Sequence, residues 1–174
     1  SLDEAAEAIA EMMVEGAFGT AGQTVVIEDR LVGREFSLLS VVSGGEFWSL
    51  PVVQDYKRAL DGDRGPNTGG MGSFSPCEWV MPSQLMKAEE LIVRPMVNQL
   101  VRDGIQYNGV LFSGVMVVDD TPVCLEYNVR FGDPETQSVV RRLGSGFADL
   151  LMASAKGETL PPVEVTKDCA VSVV

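Results

Sequence analysis

Apolar positions along this chain follow two different periods. Near the N-terminus, Ala5, Ile9, Met12 and Met13 lie at helical spacing behind Ser1-Leu2-Asp3-Glu4, a capping-box sequence, and Gly16 is placed to end the helix. Thr24 to Ile27 is a short β-branched run that predicts a strand. A longer strand is predicted over Phe36 to Val42, with Gly44-Gly45 as a tight hairpin turn and Glu46 to Val53 as the return. Pro82-Ser83 opens the longest helix, capped by Ser83 and running to about Asp103. Its expected buried stripe is Leu85, Leu91, Ile92, Met96 and Leu100, with a kink at Pro95 and a stop at Gly104. Asn108 to Val118 and Val123 to Asn128 pair around Asp119-Asp120-Thr121-Pro122. Asp133, as N-cap ahead of Pro134, starts a helix to about Leu143, and another runs from Phe147 to Lys156 and stops at Gly157. Ala170 to Val174 reads as a strand. Hairpins and helices mix without regular βαβ alternation, which is the pattern of an α+β fold.

Composition narrows the chemistry. At 174 residues and 45% hydrophobic content, the chain is long and apolar enough for one packed domain. Thirteen basic and 25 acidic residues give a net charge of −12, which opposes nucleic-acid binding but not the binding of one small phosphorylated ligand. There is no histidine, so imidazole acid–base chemistry and imidazole metal sites are excluded within these residues. Cys77, Cys124 and Cys169 are odd in number and widely spaced. They fit neither a disulfide framework nor a zinc cluster, and point to a reducing, cytoplasmic setting. No apolar run reaches the roughly 20 residues needed to span a membrane. The chain opens on Ser1 rather than methionine and ends in a strand-like run; a fragment of a longer protein is the expectation.

Three stretches carry candidate chemistry. Glu126, Asn128 and Arg130 alternate along a strand, so they share a face, each about 7 Å from the next. A carboxylate, an amide oxygen and a guanidinium in one row suit a hard cation beside a phosphate, since Mg2+ takes one or two protein oxygens and completes its shell with substrate phosphates. A solvated edge strand ending in a turn is the alternative. Glu28 and Glu35 flank a polar bend whose backbone could read a base edge, or which simply connects two strands. Asp61 to Gly72 holds five glycines in twelve residues, with Lys57, Arg58 and Arg64 around it. Successive glycine amides can form an anion-binding nest, although no Gly-Lys-Ser/Thr ends the loop as in a P-loop.

Taken together, these stretches resemble a known family. Glu28-x-x-Leu31-x-Gly33-x-Glu35 resembles the hinge of ATP-grasp ligases, and Glu126-x-Asn128-x-Arg130 resembles their metal strand. Gln54-Asp55-x-Lys57-Arg58, Asp61-Gly62-Asp63, Gly65-Pro66-Asn67-Thr68-Gly69-Gly70-Met71-Gly72 and Arg130-Phe131-Gly132-Asp133-Pro134-Glu135-Thr136-Gln137 are similar to the glycinamide ribonucleotide synthetase family. The resemblance implies a partial ATP-grasp fold, its hinge and metal-strand half. It also implies an ATP-dependent ligase that joins glycine to 5-phosphoribosylamine through a glycyl phosphate in purine synthesis. By the same resemblance Glu126 and Asn128 would hold Mg2+ or Mn2+, and Arg130 would be the catalytic cation. Glu28, Asp29, Arg30, Leu31 and Glu35 would bind ATP. Asp55, Lys57, Asn67, Thr68, Gly69, Gly70 and Asp133 would bind the glycine and amine substrates. A non-catalytic nucleotide-binding remnant and a related ligase with another amine substrate are the competing readings.

Departures from the family pattern qualify these expectations. Tyr56 stands where the family usually has histidine, and Gly109 to Val118 offers no acidic ligand on the strand before the metal strand. The family's N-terminal substrate domain, the phosphate-clasping lysine half and the C-terminal domain are not recognisable. The 174 residues are therefore expected to be inactive alone and to need the rest of a parent chain.

Overall fold

The computed structural model describes residues 1–62 and 64–174, so Asp63 of the expected Asp61-Gly62-Asp63 motif lies outside the described residues. The chain forms two compact units, 1–31 and 32–174. In the first, α1 (Leu2–Met13) carries the predicted capping box: Ser1 Oγ accepts from the Glu4 amide at 3.2 Å. Gly16, in a left-handed conformation, lets the Ala17 amide reach back to the Glu11 carbonyl. A 3-10 turn follows at Gly19–Gln23. The strand expected at Thr24 to Ile27 does not form. A strand exists only through its ladder, and no described residue pairs with this run; Val26 and Ile27 are about four-fifths exposed.

The second unit is built on a four-stranded antiparallel sheet in the order β2 (Glu46–Ser49), β1 (Arg34–Ser43), β7 (Asn108–Val118), β8 (Thr121–Asn128). β1 is central and buried on both faces, which explains its nearly unbroken apolar sequence. One face packs Phe36, Leu38, Val42, Leu111 and Val115 against Ala88, Ile92, Val93 and Val97 of the long helical segment. The other packs Leu39, Val41, Val110 and Phe112 against Val139 and Leu150, which belong to α4 (Glu135–Val140) and α5 (Phe147–Lys156). A second sheet has the order β3 (Gln54–Asp55), β6 (Gly72–Ser75), β9 (Ala170–Val173), and β4 (Arg58–Leu60) pairs with β5 (Arg64–Asn67) as a separate hairpin. The predicted glycine loop is thus partly a hairpin, and the return after Gly44-Gly45 is shorter than expected, reduced beyond Ser49 to a single bridge from Val53 to Ser37.

The long helical segment comprises α2 (Pro82–Ala88), a π-helical turn at Glu89–Val93, and α3 (Arg94–Arg102). The π turn lies just before Pro95, whose ring nitrogen cannot donate to the carbonyl one turn back. The added residue rotates the phase of the stripe. Val93 and Val97 are buried, whereas Leu91, expected inside, is 58% exposed. The cap also differs: the Gln84 side chain accepts from the Met81 amide at 2.9 Å, placing the N-terminus at Met81 rather than Ser83. Asp119 and Asp120 both adopt left-handed conformations, closing the β7–β8 turn in two residues. In α4 the N-cap is Pro134, not Asp133, whose Oδ1 instead accepts from Gln137 Nε2 at 2.7 Å, and the helix ends at Val140.

Candidate functional site

Cross-strand partners share a face of a sheet. Ser37 pairs with Gly114, and Gly114 with Glu126, so the three form one row across β1, β7 and β8. Glu35 lies two residues before Ser37 on the same face, and Asn128 two residues after Glu126. The bare backbone of Gly114 makes room for a neighbouring side chain in the middle of the row. The Glu126 side chain leans over it, its Cγ only 3.1 Å from where a Cβ on Gly114 would stand. Glu126 is exposed and Asn128 half-buried. Among the described residues no cluster of three or more histidine, cysteine, aspartate or glutamate side chains could enclose a metal ion. At the β8 end of this face the oxygen donors are the Glu126 carboxylate and the Asn128 amide.

Arg130 is not part of the strand. β8 ends at Asn128, and Arg130 donates from Nη1 to the neighbouring Phe131 carbonyl at 2.9 Å. It lines a shallow apolar depression with Val129, Phe131 and Leu151. The alternation that places Glu126 and Asn128 together does not extend to it.

Beside Glu35 a polar cavity of about 320 Å3 is lined by Gly33, Arg34, Glu35, Gln54, Asp55, Lys57, Arg58 and Asn67. Residues far apart in sequence meet here around one ammonium: Lys57 Nζ lies 3.8 Å from Glu35 Oε2 and 3.8 Å from Asp55 Oδ2. Gly33 is required by packing, since a Cβ there would run into the Val117 carbonyl. The cations are held in place. Arg34 stacks over Trp79 at 4.1 Å, and Arg58 Nη1 donates to the Gly65 carbonyl at 2.7 Å across the β4–β5 hairpin.

The glycine stretch is anchored by backbone contacts. The Thr68 amide and hydroxyl both donate to the Lys57 carbonyl, and the Thr68 hydroxyl accepts from the Gly70 amide. Thr68 thus closes the loop and leaves Asn67 exposed at its edge. Gly70, at φ +130°, packs its backbone on the Pro134 ring, and Ser73 Oγ donates to the Pro134 carbonyl at 2.6 Å. The two most distinctive sequence stretches are therefore in contact. Asp133, beside Pro134, is exposed. Tyr56 is 52% exposed and packs on Phe74 with ring centroids 5.7 Å apart. Glu28, Asp29, Arg30 and Leu31 end the N-terminal unit in irregular chain, the first three exposed.

Glu135, part of the Arg130 to Gln137 stretch, is a site residue that the sequence pattern does not single out. It is 4% exposed, with Ser37 Oγ 3.3 Å from its Oε1. Burial pushes its pKa up, and Asp55 adds to this, while its own backbone amide, Ser37 and the Lys57 ammonium pull the other way. A glutamate in the first turn of a helix usually faces solvent; the signal that could have found it is Gly132, three residues earlier, whose missing side chain makes room for the carboxylate.

The family described as "Phosphoribosylglycinamide synthetase, ATP-grasp (A) domain" matches residues 1–136. A phosphoribosylamine–glycine ligase of Streptococcus pyogenes is 47% identical over 148 residues, covering 85% of this chain and 35% of the relative. That of Streptococcus pneumoniae is 43% identical over 178 residues, covering 96% and 42%. The crystal structure of phosphoribosylamine–glycine ligase from Thermotoga maritima superposes with a TM-score of 0.82 at 42% identity, covering 97% of this chain and 43% of that one. A biotin carboxylase from Campylobacter jejuni, at 16% identity and a TM-score of 0.66 over 95% of this chain and 34% of that one, shares the fold alone. The chain spans about two fifths of the length of the curated relatives it matches. Among the described residues no helix is long and apolar enough to cross a membrane.

Proposed function

This chain belongs to the phosphoribosylglycinamide synthetase family of ATP-grasp proteins, and from that premise we propose that it is the hinge and metal-strand part of a phosphoribosylamine–glycine ligase. The parent protein uses ATP to phosphorylate the carboxylate of glycine. The amine of 5-phosphoribosylamine then displaces phosphate to give glycinamide ribonucleotide. The observation that carries this reading is the meeting of Glu35, Asp55, Lys57 and Asn67 around one polar cavity, beside the sheet face that presents Glu126 and Asn128. Phosphoryl transfer depends on positioning and charge neutralisation rather than on an imidazole base, which suits a histidine-free chain.

The residues divide the work by position. Glu28 and the backbone of Asp29, Arg30 and Leu31 take the adenine edge, and Glu35 accepts from the ribose hydroxyls. Asp55, Lys57, Asn67, Gly69, Gly70 and Asp133 hold glycine and the amine, with Thr68 keeping the loop closed. Arg130 neutralises charge on the transferred phosphoryl group; its present bond to Phe131 exchanges for the ligand. Glu126 and Asn128 fit a divalent ion, Mg2+ or Mn2+, because two protein oxygens beside a phosphate site are what such an ion accepts. When bound, that ion supplies Lewis acidity to the ATP phosphates. Tyr56 serves by packing on Phe74. The remaining substrate domain, the lysine half of the clasp and the closing domain belong to the rest of the parent chain, and the 174 residues alone do not turn over.

The test is ATP- and glycine-dependent formation of glycinamide ribonucleotide from freshly supplied phosphoribosylamine. The full-length parent forms it and the isolated 174 residues do not. No product from the parent sinks the assignment, and turnover by the isolated chain refutes its incompleteness.

A further inference from the structure

The buried acid at the start of α4 is unused by the roles above. Ser37 supplies the only side-chain hydrogen bond to Glu135 among the described residues, and no lysine or arginine nitrogen there lies within 4 Å of it. An unpaired carboxylate withdrawn from water is costly, and packing alone would favour an apolar residue at a position only 4% exposed. The surroundings are arranged to keep it there. A Cβ on Gly132 would stand 2.5 Å from Glu135 Oε2, and Ser37 offers its hydroxyl from the row that continues through Gly114 to Glu126.

That row gives Glu135 its place. On one side the row runs past Gly114 to Glu126, which the ligase reading puts at the phosphate end of the site. On the other are Asp55 and Lys57, at the substrate cavity. Glu135 therefore lies between the residues the ligase reading assigns to the phosphates and those it assigns to the substrates. We infer that Glu135 is the base that accepts the proton released when the amine attacks the activated carboxylate. The inference rests on the ligase reading above. In the step, the amine nitrogen forms a C–N bond to the carbonyl carbon, and the C–O bond to phosphate breaks with its electron pair leaving on phosphate. One N–H proton passes to the Glu135 carboxylate, which later releases it to water.

The other carboxylates are less suited. Glu35 and Asp55 are both already engaged with the Lys57 ammonium. Asp133 is exposed and accepts from Gln137, and Glu126 faces the metal position. The charged groups around Glu135 are Asp55, which raises its proton affinity, Lys57, which lowers it, and Glu35 and Glu126 farther along the same sheet face. β6 and β9, packed on α4, carry no titratable side chain, nor does the rest of α4. Burial raises the proton affinity of the carboxyl, the direction that suits a general base.

The experiment uses the full-length parent and its E135Q and E135D variants, with two readouts. Trapping by hydroxylamine, in the presence of ATP and glycine, reports glycyl phosphate formation as glycyl hydroxamate. Glycinamide ribonucleotide formation reports transfer to the amine. E135Q should keep hydroxamate formation within about threefold of wild type while transfer falls by about 10²–10⁴-fold, the usual worth of a positioned base. The acid limb of the kcat profile should vanish in E135Q, and E135D should recover part of the transfer rate. Equal losses in both readouts would mark Glu135 as structural and overturn the proposal, as would near-normal transfer by E135Q. No hydroxamate from wild type would overturn the acyl-phosphate reading itself, and this inference with it.

Discussion

Gly69 and Gly70 are neighbours of the same type, yet the structure assigns them opposite tolerances. At Gly70 an added methyl group would press into the Pro134 ring, 3.2 Å from Cγ and closer still to Cδ, and the backbone is at φ +130°. At Gly69 nothing lies within 4 Å of the corresponding Cβ, and the backbone is not left-handed. For Gly70→Ala, backbone strain costs about 1–3 kcal/mol, and overpacking against a fixed ring costs about 1–3 kcal/mol. The loop can relieve part of this by peeling away. It would then give up the Met71 amide bond to the Tyr56 carbonyl and the Gly70 amide bond to Thr68 Oγ1. The expected net loss is therefore in the lower half of the sum, about 2–4 kcal/mol. Gly69→Ala should be neutral or stabilise by up to about 1 kcal/mol, because it only restricts the unfolded chain. Urea unfolding of the 174-residue chain resolves the pair. With a slope of about 2 kcal/mol per molar, Gly70→Ala should lower the midpoint by about 1–2 M while Gly69→Ala leaves it unchanged or higher. Equal midpoints would refute the docking of the glycine loop on Asp133-Pro134, and with it the placement of the substrate loop.

Three further outcomes are expected. Glu126→Ala removes an exposed side chain that makes no hydrogen bond among the described residues, so its effect on stability should be within about 0.5 kcal/mol; in the full-length parent it should abolish metal-dependent turnover, and wild-type rates would exclude Glu126 from the metal site. Arg142, 8% exposed, donates to Ser75 Oγ and to the Thr166 and Asp168 carbonyls. Arg142→Met should cost about 3 kcal/mol or more by calorimetry, at about 1 kcal/mol or more for each acceptor left without a donor; a near-neutral result would mean that β6 and the segment before β9 are tied together by other means. Because burial raises the Glu135 pKa above its unfolded value of 4.5, the folded state holds more protons in the window just above 4.5. Its stability therefore falls as pH rises through that window. Glu135→Gln should remove this slope in urea titrations at successive pH values, and an unchanged slope would assign it to another group.

Much of the architecture was determined by local sequence. The capping box at Ser1, the Gly44-Gly45 turn, the strand Asn108–Val118, α5 and its Gly157 stop are encoded within a few residues of where they act, and they form as read. The pairing of Glu126 with Asn128 on one face was legible for the same reason, since alternation along a strand is a local property. Long-range packing decided the rest. Thr24 to Ile27 has β-branched side chains but no ladder partner among the described residues, and Leu91 has the right hydrophobicity but the wrong phase once a π turn intervenes ahead of Pro95. Arg130 lies two residues past the end of the pairing that would have aligned it. The meeting of Glu35, Asp55 and Lys57, the seating of Gly70 on Pro134, and the burial of Glu135 beneath Ser37 join residues 20 to about 100 positions apart. No periodicity records such contacts, because they depend on which strands become neighbours. The residue types were present in the sequence all along; the tertiary structure set their distances, their burial and hence their chemistry.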